Sequence, residues 1–244
     1  MPDTHIEYED KRAYALMLQV AKSLPQIDEI VLLGDFADMF SVTSHRKDAA
    51  HARDLLTSEI EAVKKRIKEL NKLFPHAQKV YCEGNHENRL TRFISERCPE
   101  LFGMVSFPSL IGIDKDPNWK WVSYGPYQAH KVLGSKLIAR HTPLAGGQHH
   151  AKNTAIKAMA SVVYGHVHQI QESQVVAMDG KNYRAFCPGW LGDYKQHAFE
   201  YVQSHAQWSL GFSIVTVLSD RSWFANQCHI IDYKTTFGGK LFKG

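Results

Sequence analysis

No run of the sequence comes near the ~20 consecutive apolar residues that a membrane span requires, and the amino terminus shows no basic-then-apolar leader pattern. A soluble, cytoplasmic protein with no membrane partner is expected. Cysteine is scarce. Cys82, Cys98, Cys187 and Cys228 lie far apart and form no paired motif, so neither a disulfide framework nor a thiolate zinc site is indicated, and reduced, buried thiols are expected. Strong charge is missing too: 29 basic against 25 acidic residues leave +4, which suits an anionic substrate but is too little to argue for nucleic acid. There is no Gly-x-Ser-x-Gly elbow, no phosphate-cradling Gly-rich loop ending in Lys-Ser/Thr, and no cysteine in a nucleophile's context.

Histidine, in contrast, is abundant. Fourteen are about twice what a chain of this length ordinarily carries, and imidazole is the commonest transition-metal ligand near neutral pH. At 244 residues, 44% of them hydrophobic, the chain can bury one large core, and a single domain over 1–244 is the simplest reading.

Apolar residues at spacings of three and four predict an amphipathic helix over 9–24 (Ala13, Met17, Val20, Leu24) and a long surface helix from Asp48 to Phe74, with Lys64, Lys65 and Lys68 on its outer face. Short buried strands are predicted at Ile30–Leu33, Lys79–Cys82 and Ser161–Tyr164, each running into a glycine. Helices are predicted over 88–97 and 151–160. A tight hairpin is predicted with Lys131–Leu133 and Lys136–Ile138 on either side of Gly134-Ser135, delivering His141. Residues 100–126 show no clear period. Beyond 168, strands are expected at 170–178, 183–187, 210–218 and 223–231, with turns at Asp179-Gly180 and 219–222. Alternating α/β first and antiparallel strands later suggest two packed sheets with helices outside.

Five small motifs carry the chemistry: Asp3-Thr4-His5, Gly34-Asp35-Phe36-Ala37-Asp38, Gly84-Asn85-His86-Glu87, His141, and Gly165-His166-Val167-His168. Three follow predicted strands directly, and sites in open α/β sheets form beyond the carboxyl ends of strands. A glycine just before a ligand lets the backbone turn tightly and approach closely. Taken singly, Asp3-x-His5 reads as solvated surface, Gly34-Asp35 as a turn and His141 as a buried, satisfied histidine; together, and in this order, they point to metal. Carboxylate, imidazole and amide oxygen suit a hard or borderline divalent cation, and seven candidates (Asp3, His5, Asp35, Asn85, His141, His166, His168) are too many for one tetrahedral ion but suit two with a bridging carboxylate.

This order and spacing resembles the calcineurin-like metallophosphoesterase superfamily, over nearly the whole chain, and among its members the compact forms often found in bacteriophage genomes. The resemblance implies an α/β four-layer sandwich of two packed mixed β-sheets flanked by helices. It further implies that Asp3, His5, Asp35 and His168 hold a first metal and Asp35, Asn85, His141 and His166 a second, with Asp35 bridging. His86 would then be the general acid, oriented and kept protonated by Asp38. Two divalent ions are expected, manganese first, with iron, zinc or nickel as alternatives. They would sit ~3.5 to 4 Å apart and activate a hydroxide that hydrolyses a phosphate ester. A phosphodiester, nucleotide or nucleic acid is the favoured substrate; a phosphomonoesterase or a non-catalytic binding module on the same fold is the alternative.

Two features depart from the family pattern. A full strand normally precedes the first Asp-x-His, where here only Met1 and Pro2 stand; either the chain starts late or that strand is missing, and a weaker or more labile first metal is the expectation. Met39 follows Asp38 in place of the Arg-Gly of protein Ser/Thr phosphatases, which argues against a phosphoprotein substrate. For substrate contacts the sequence offers Arg89, His149 and His150, with His45, Arg46 and Lys47 in the loop after Asp38. Trp190 and Tyr194 are candidates to stack on a base, although such aromatics more often cover a core.

Overall fold

Helix α1 (Lys11–Ser23) begins where Asp10 caps it, its Oδ1 accepting the amides of Arg12 and Ala13 at 3.0 Å each. Its apolar stripe of Ala13, Leu16, Met17 and Val20 is buried, and it stops before Pro25. In the computed structural model, which describes residues 1–44, 55–199 and 207–244, the chain is a mixed α/β protein with several sheets and five α-helices among the described residues.

Strand β1 (Glu29–Leu32) follows α1, and α2 (Leu56–Leu73) buries Ile60, Val63, Ile67 and Leu70 as the spacing predicts. The expected start of α2 near Asp48 lies outside the described residues. Strand β2 (Gln78–Cys82) then pairs parallel with β1, with Ile30 opposite Lys79 and Leu32 opposite Tyr81. After α3 (Asn88–Arg97), the stretch without clear period contains a short helix α4 (Phe107–Ile111) and a strand β3 (Trp119–Val122), which pairs parallel with β2.

A second, five-stranded sheet has the order β4-β5-β6-β8-β7, formed by His130–Lys131, Leu137–Arg140, Ser161–Tyr164, Asn182–Pro188 and Ile170–Val176. Its inner three strands are parallel, and helix α5 (His150–Ala158) connects β5 to β6. The predicted two-residue hairpin is corrected here. β4 and β5 are antiparallel, but Val132–Gly134 form a 3-10 turn with Leu133 at φ +45°, so the connection spans 132–136. Two antiparallel hairpins complete the chain: β9 (Gly211–Val217) with β10 (Trp223–His229), and β11 (Lys234–Phe237) with β12 (Lys240–Lys243). The last of these was not legible in the sequence; Gly238 and Gly239 take its turn at φ +56° and +75°.

The largest buried apolar cluster joins α1, α2 and the first sheet through Leu16, Val20, Leu32, Val63, Leu70 and Tyr81. A second cluster joins Leu33 to Leu137, Ala139, Val163 and Phe186 of the five-stranded sheet. None of the described helices is long and apolar enough to cross a membrane.

Candidate metal centre

All three strands predicted to end in a glycine do so at one end of the molecule. Parallel pairing points the carboxyl ends of β1 and β2 the same way, and those of β5 and β6 the same way in the other sheet. The segment 3–6 lies across these ends: the amides of Thr4 and His5 both donate to Asp35 O, at 3.0 and 2.9 Å, and Ile6 N donates to Phe36 O at 2.9 Å. The three glycines are where side chains cannot fit. A Cβ on Gly34 would meet the His141 ring, one on Gly84 the Asp35 carboxylate, and one on Gly165 the Asp3 carboxylate.

Four ligand candidates have left-handed backbone, rare outside glycine: His5 (φ +50°), Asp35 (+45°), His166 (+74°) and His168 (+57°). Each costs about 1–3 kcal/mol and persists only where the surroundings over-determine it.

Asp3, His5, Asp35 and His168, all buried, bring ligand atoms within 4.8 Å of one another, and Asp35, His141 and His166 do the same. Asp35 belongs to both groups. In the first, His5 Nε2 lies 3.2 Å from His168 Nε2, which is 3.6 Å from Asp3 Oδ1. In the second, His141 Nε2 lies 3.3 Å from Asp35 Oδ2 and 2.8 Å from Asn85 Oδ1, and His166 Nδ1 is also 2.8 Å from that amide oxygen. His141 and His166 thus meet Asn85 where its oxygen faces them, with His166 at the solvent side.

The donor set fits a cation. His141 Nδ1 donates to Leu33 O at 2.8 Å, so the neutral ring presents a lone pair at Nε2. That lone pair faces an amide oxygen, which only accepts, and a carboxylate. Likewise His5 Nδ1 donates to Asp38 Oδ2 at 2.7 Å, turning its Nε2 lone pair toward His168. Among the described residues Asp3 Oδ2 and His168 Nδ1 have no hydrogen-bond partner although buried. Acceptors converging on acceptors require positive charge between them, either protons or a metal ion.

The ionisation of the cluster follows. Burial opposes charge on Asp35, but His141 and His86 outweigh it and hold the carboxyl well below the usual range. Burial likewise pulls the His141 imidazole down, yet Asp35 and Asp3 raise it to about 9. For His168 burial wins, and its pKa lies below the ordinary value.

His86 lies beside the shared carboxylate, its Nε2 3.8 Å from Asp35 Oδ2, and its amide donates to Asp35 Oδ1 at 2.9 Å. Its Nδ1 is 2.9 Å from Asp38 O and 3.2 Å from Asp38 Oδ2. Burial lowers its pKa, but Asp35 and Asp38 together leave it above the ordinary value. Asp38 therefore touches His86 as expected, and it also holds His5 at the shorter distance, a contact the sequence reading did not include. Arg89 is drawn into the same network: Nη1 donates to Asp38 O at 3.0 Å, and Nη2 lies 3.2 Å from His86 Nε2.

Two sequence expectations are corrected. His150 is not at a substrate rim: it is buried, with its ring 2.6 Å from the Tyr164 hydroxyl and 3.3 Å from Gln169 Oε1. Its neighbour His149 is exposed ahead of α5. Trp190 is 1% exposed and stacks on His168 with ring centroids 4.7 Å apart, so it walls the ligand instead of offering a face to a base; Trp208 packs edge-on against both. Tyr194 is exposed. His45, Arg46 and Lys47 lie outside the described residues.

Of the buried acids that the sequence reading left without a role, Glu87 lies against Asp35. Glu87 ends the Gly84–Glu87 motif, and its carboxylate accepts from four donors around Asp35; burial and the Asp35 charge push its pKa up to about 7.

No family model matches the chain, and neither a curated protein nor a solved structure matches it.

Proposed function

We propose that this protein is a metal-dependent phosphoesterase of the calcineurin-like kind: a single domain over 1–244, arranged as a four-layer sandwich, with a dinuclear centre at the strand ends. The observation that carries the reading is that Asp35 links two groups of ligand atoms, Asp3, His5, Asp35 and His168 on one side and Asp35, His141 and His166 with Asn85 on the other; His5 also belongs to a third group, with Asp38 and His86. Two divalent ions, manganese first among the candidates, would supply charge neutralisation for the phosphate and a water acidic enough to attack near neutral pH. An all-oxygen-and-nitrogen donor set of this kind does not select among Mn²⁺, Fe²⁺, Zn²⁺ and Ni²⁺ by ligand type.

The protein's own groups do the rest. Asp3 and Asp35 bring negative charge that a phosphate could not approach without cations between them. His5 and His141 each commit one ring nitrogen to a fixed acceptor, Asp38 and Leu33 O, and so aim the other into the cluster. His86, anchored at Nδ1 by Asp38, is placed to donate from Nε2 to the leaving oxygen, and Asp35 and Asp38 raise its pKa in the direction a general acid needs. Arg89 Nη2 lies 3.2 Å from that same nitrogen and can only donate, so once Nε2 carries the proton the guanidinium must turn away from it, toward an entering phosphate.

The substrate is a phosphate ester. With Trp190 buried against His168, stacking no longer argues for a nucleic acid, and the diester is simply the first substrate to try. Elemental analysis of purified protein, followed by hydrolysis of bis(p-nitrophenyl) phosphate and p-nitrophenyl phosphate with Mn²⁺, tests the reading. About two equivalents of metal and turnover of the diester above the monoester are expected; metal without turnover of either ester would favour a binding module, and no metal would end the proposal.

A further inference from the structure

The metal-centre reading leaves two buried acids at the end of β2 unused, Glu83 and Glu87, and of these only Glu87 reaches the Asp35 backbone. Its side chain is wholly buried, and both carboxylate oxygens are full: Oε2 accepts Asp35 N at 3.0 Å and Gly84 N at 2.8 Å, while Oε1 accepts Ala37 N at 2.8 Å and the Tyr81 hydroxyl at 2.7 Å. Four donors to one group is the arrangement that an ionised carboxylate satisfies and that a neutral amide cannot, because an amide turns an N–H toward two of them.

These donors come from separate pieces of chain. Asp35 and Ala37 belong to the loop after β1, Tyr81 to β2, and Gly84 to the loop after β2. The Asp35 backbone is gripped on both sides: its amide by Glu87, its carbonyl by the amides of Thr4 and His5. That double grip is what holds a non-glycine residue at φ +45°. The direction of the Asp35 carboxylate is then fixed, and through the hydrogen bond from His86 N to Asp35 Oδ1 at 2.9 Å the loop bearing Asn85 and His86 is registered to it.

We infer that Glu87 is a positioning residue: a keystone that clamps the loops after β1 and β2 together and sets the shared carboxylate, Asn85 and His86 as one unit. It touches neither metal nor substrate. This rests on the metal-centre reading for its consequence, but the clamp itself is a property of the protein without metal.

Three variants test it: Glu87→Gln, Tyr81→Phe and, as a control for general loss of stability, Leu16→Ala in the core under α1. Amide hydrogen exchange on metal-free protein and metal affinity by calorimetry with Mn²⁺ are the readouts, with kcat and KM measured on any ester the wild type turns over. Glu87→Gln should speed exchange at Asp35, Ala37 and Gly84 at least about tenfold beyond the average of other buried amides, and weaken Mn²⁺ about 10- to 100-fold, with kcat falling more than KM rises. Tyr81→Phe, which removes one donor of four, should show the same pattern several-fold smaller. Leu16→Ala should speed exchange generally and leave Mn²⁺ affinity unchanged. If Glu87→Gln does not fold, Glu87→Asp, one methylene shorter, replaces it and should loosen the Ala37 and Gly84 amides unequally. Wild-type affinity and unaltered exchange at the three amides in a folded Glu87 variant would overturn the clamp while leaving the phosphoesterase reading intact. A wild type that binds no Mn²⁺, with the three amides still released by Glu87→Gln, would sink the phosphoesterase reading and leave the clamp standing.

Discussion

At the carboxyl ends of β1, β2, β5 and β6 the side chains are locked by directional contacts: Asp38 alone engages His5, His86 and Arg89, and Glu87 engages four donors. Along the edges of β1 and β9 the opposite holds. An apolar groove of about 460 Å³ runs there, lined among others by Met17, Ala21, Val31, Val163, Ile214 and Val217. Hydrogen bonds and ion pairs lose most of their worth when an atom moves by a fraction of an ångström, whereas apolar contact is non-directional and tolerates imperfect filling. The polar end has been given geometry at a cost in backbone strain, and the apolar seam stability with slack to spare.

Breaking the polar end should have the largest effects. Asp35→Ala removes the carboxylate common to both ligand groups, so metal content by elemental analysis and turnover should both fall to background. His86→Ala should lower kcat by about 10²- to 10⁴-fold while bound metal stays near the wild-type amount. Activity close to wild type in this variant would remove His86 from the reaction. A core change separates the two regions: Leu16→Ala, fully buried under α1, should cost about 2–5 kcal/mol in denaturant unfolding yet leave turnover per folded molecule unchanged.

Glu59 gives a pH test between the regions. It is buried on α2, where its carboxylate accepts the amides of Phe40 and Ser41 and the Ser41 hydroxyl, just after Asp38. Burial nevertheless dominates and raises its pKa to about 7 from an ordinary 4.5. A carboxyl whose folded pKa is raised favours the protonated fold. Its contribution is therefore fully present below pH 4.5 and is lost as the pH rises through about 7. The loss should be on the order of 3 kcal/mol at most. Glu59→Gln should flatten that part of the stability profile; an unchanged slope between these pH values would show that Glu59 is ionised in the fold throughout. The smallest effect is expected in the groove, where Ala21→Leu should add about 0.5–2 kcal/mol by filling space from a helix, with kcat unaltered.

What could be read without coordinates was local. A short apolar run followed by a glycine and a polar residue announces a strand end, and β1, β2 and β6 fall where those runs predict. The residues proposed as ligands were legible for the same reason, since each sits in its own short motif. By itself the sequence thus determined most of the strands and helices, though not α4, β3 or the β11–β12 hairpin, and also that glycine must precede Asp35, Asn85 and His166 and which side chains have metal-ligand chemistry.

Tertiary structure alone decided which of those side chains meet. Asp3 and His168 are 165 residues apart in sequence and 3.6 Å apart in space, and nothing between them encodes that distance locally. The same holds for the sharing of Asp38 between His5 and His86, for the four donors around Glu87, for the burial of His150, and for the choice at Trp190 between covering a core and facing a base. Periodicity reports how a residue faces its own helix or strand. Hydrogen-bond partners and solvent access depend on what other elements bring alongside, and that is fixed only when the sheets and helices have packed.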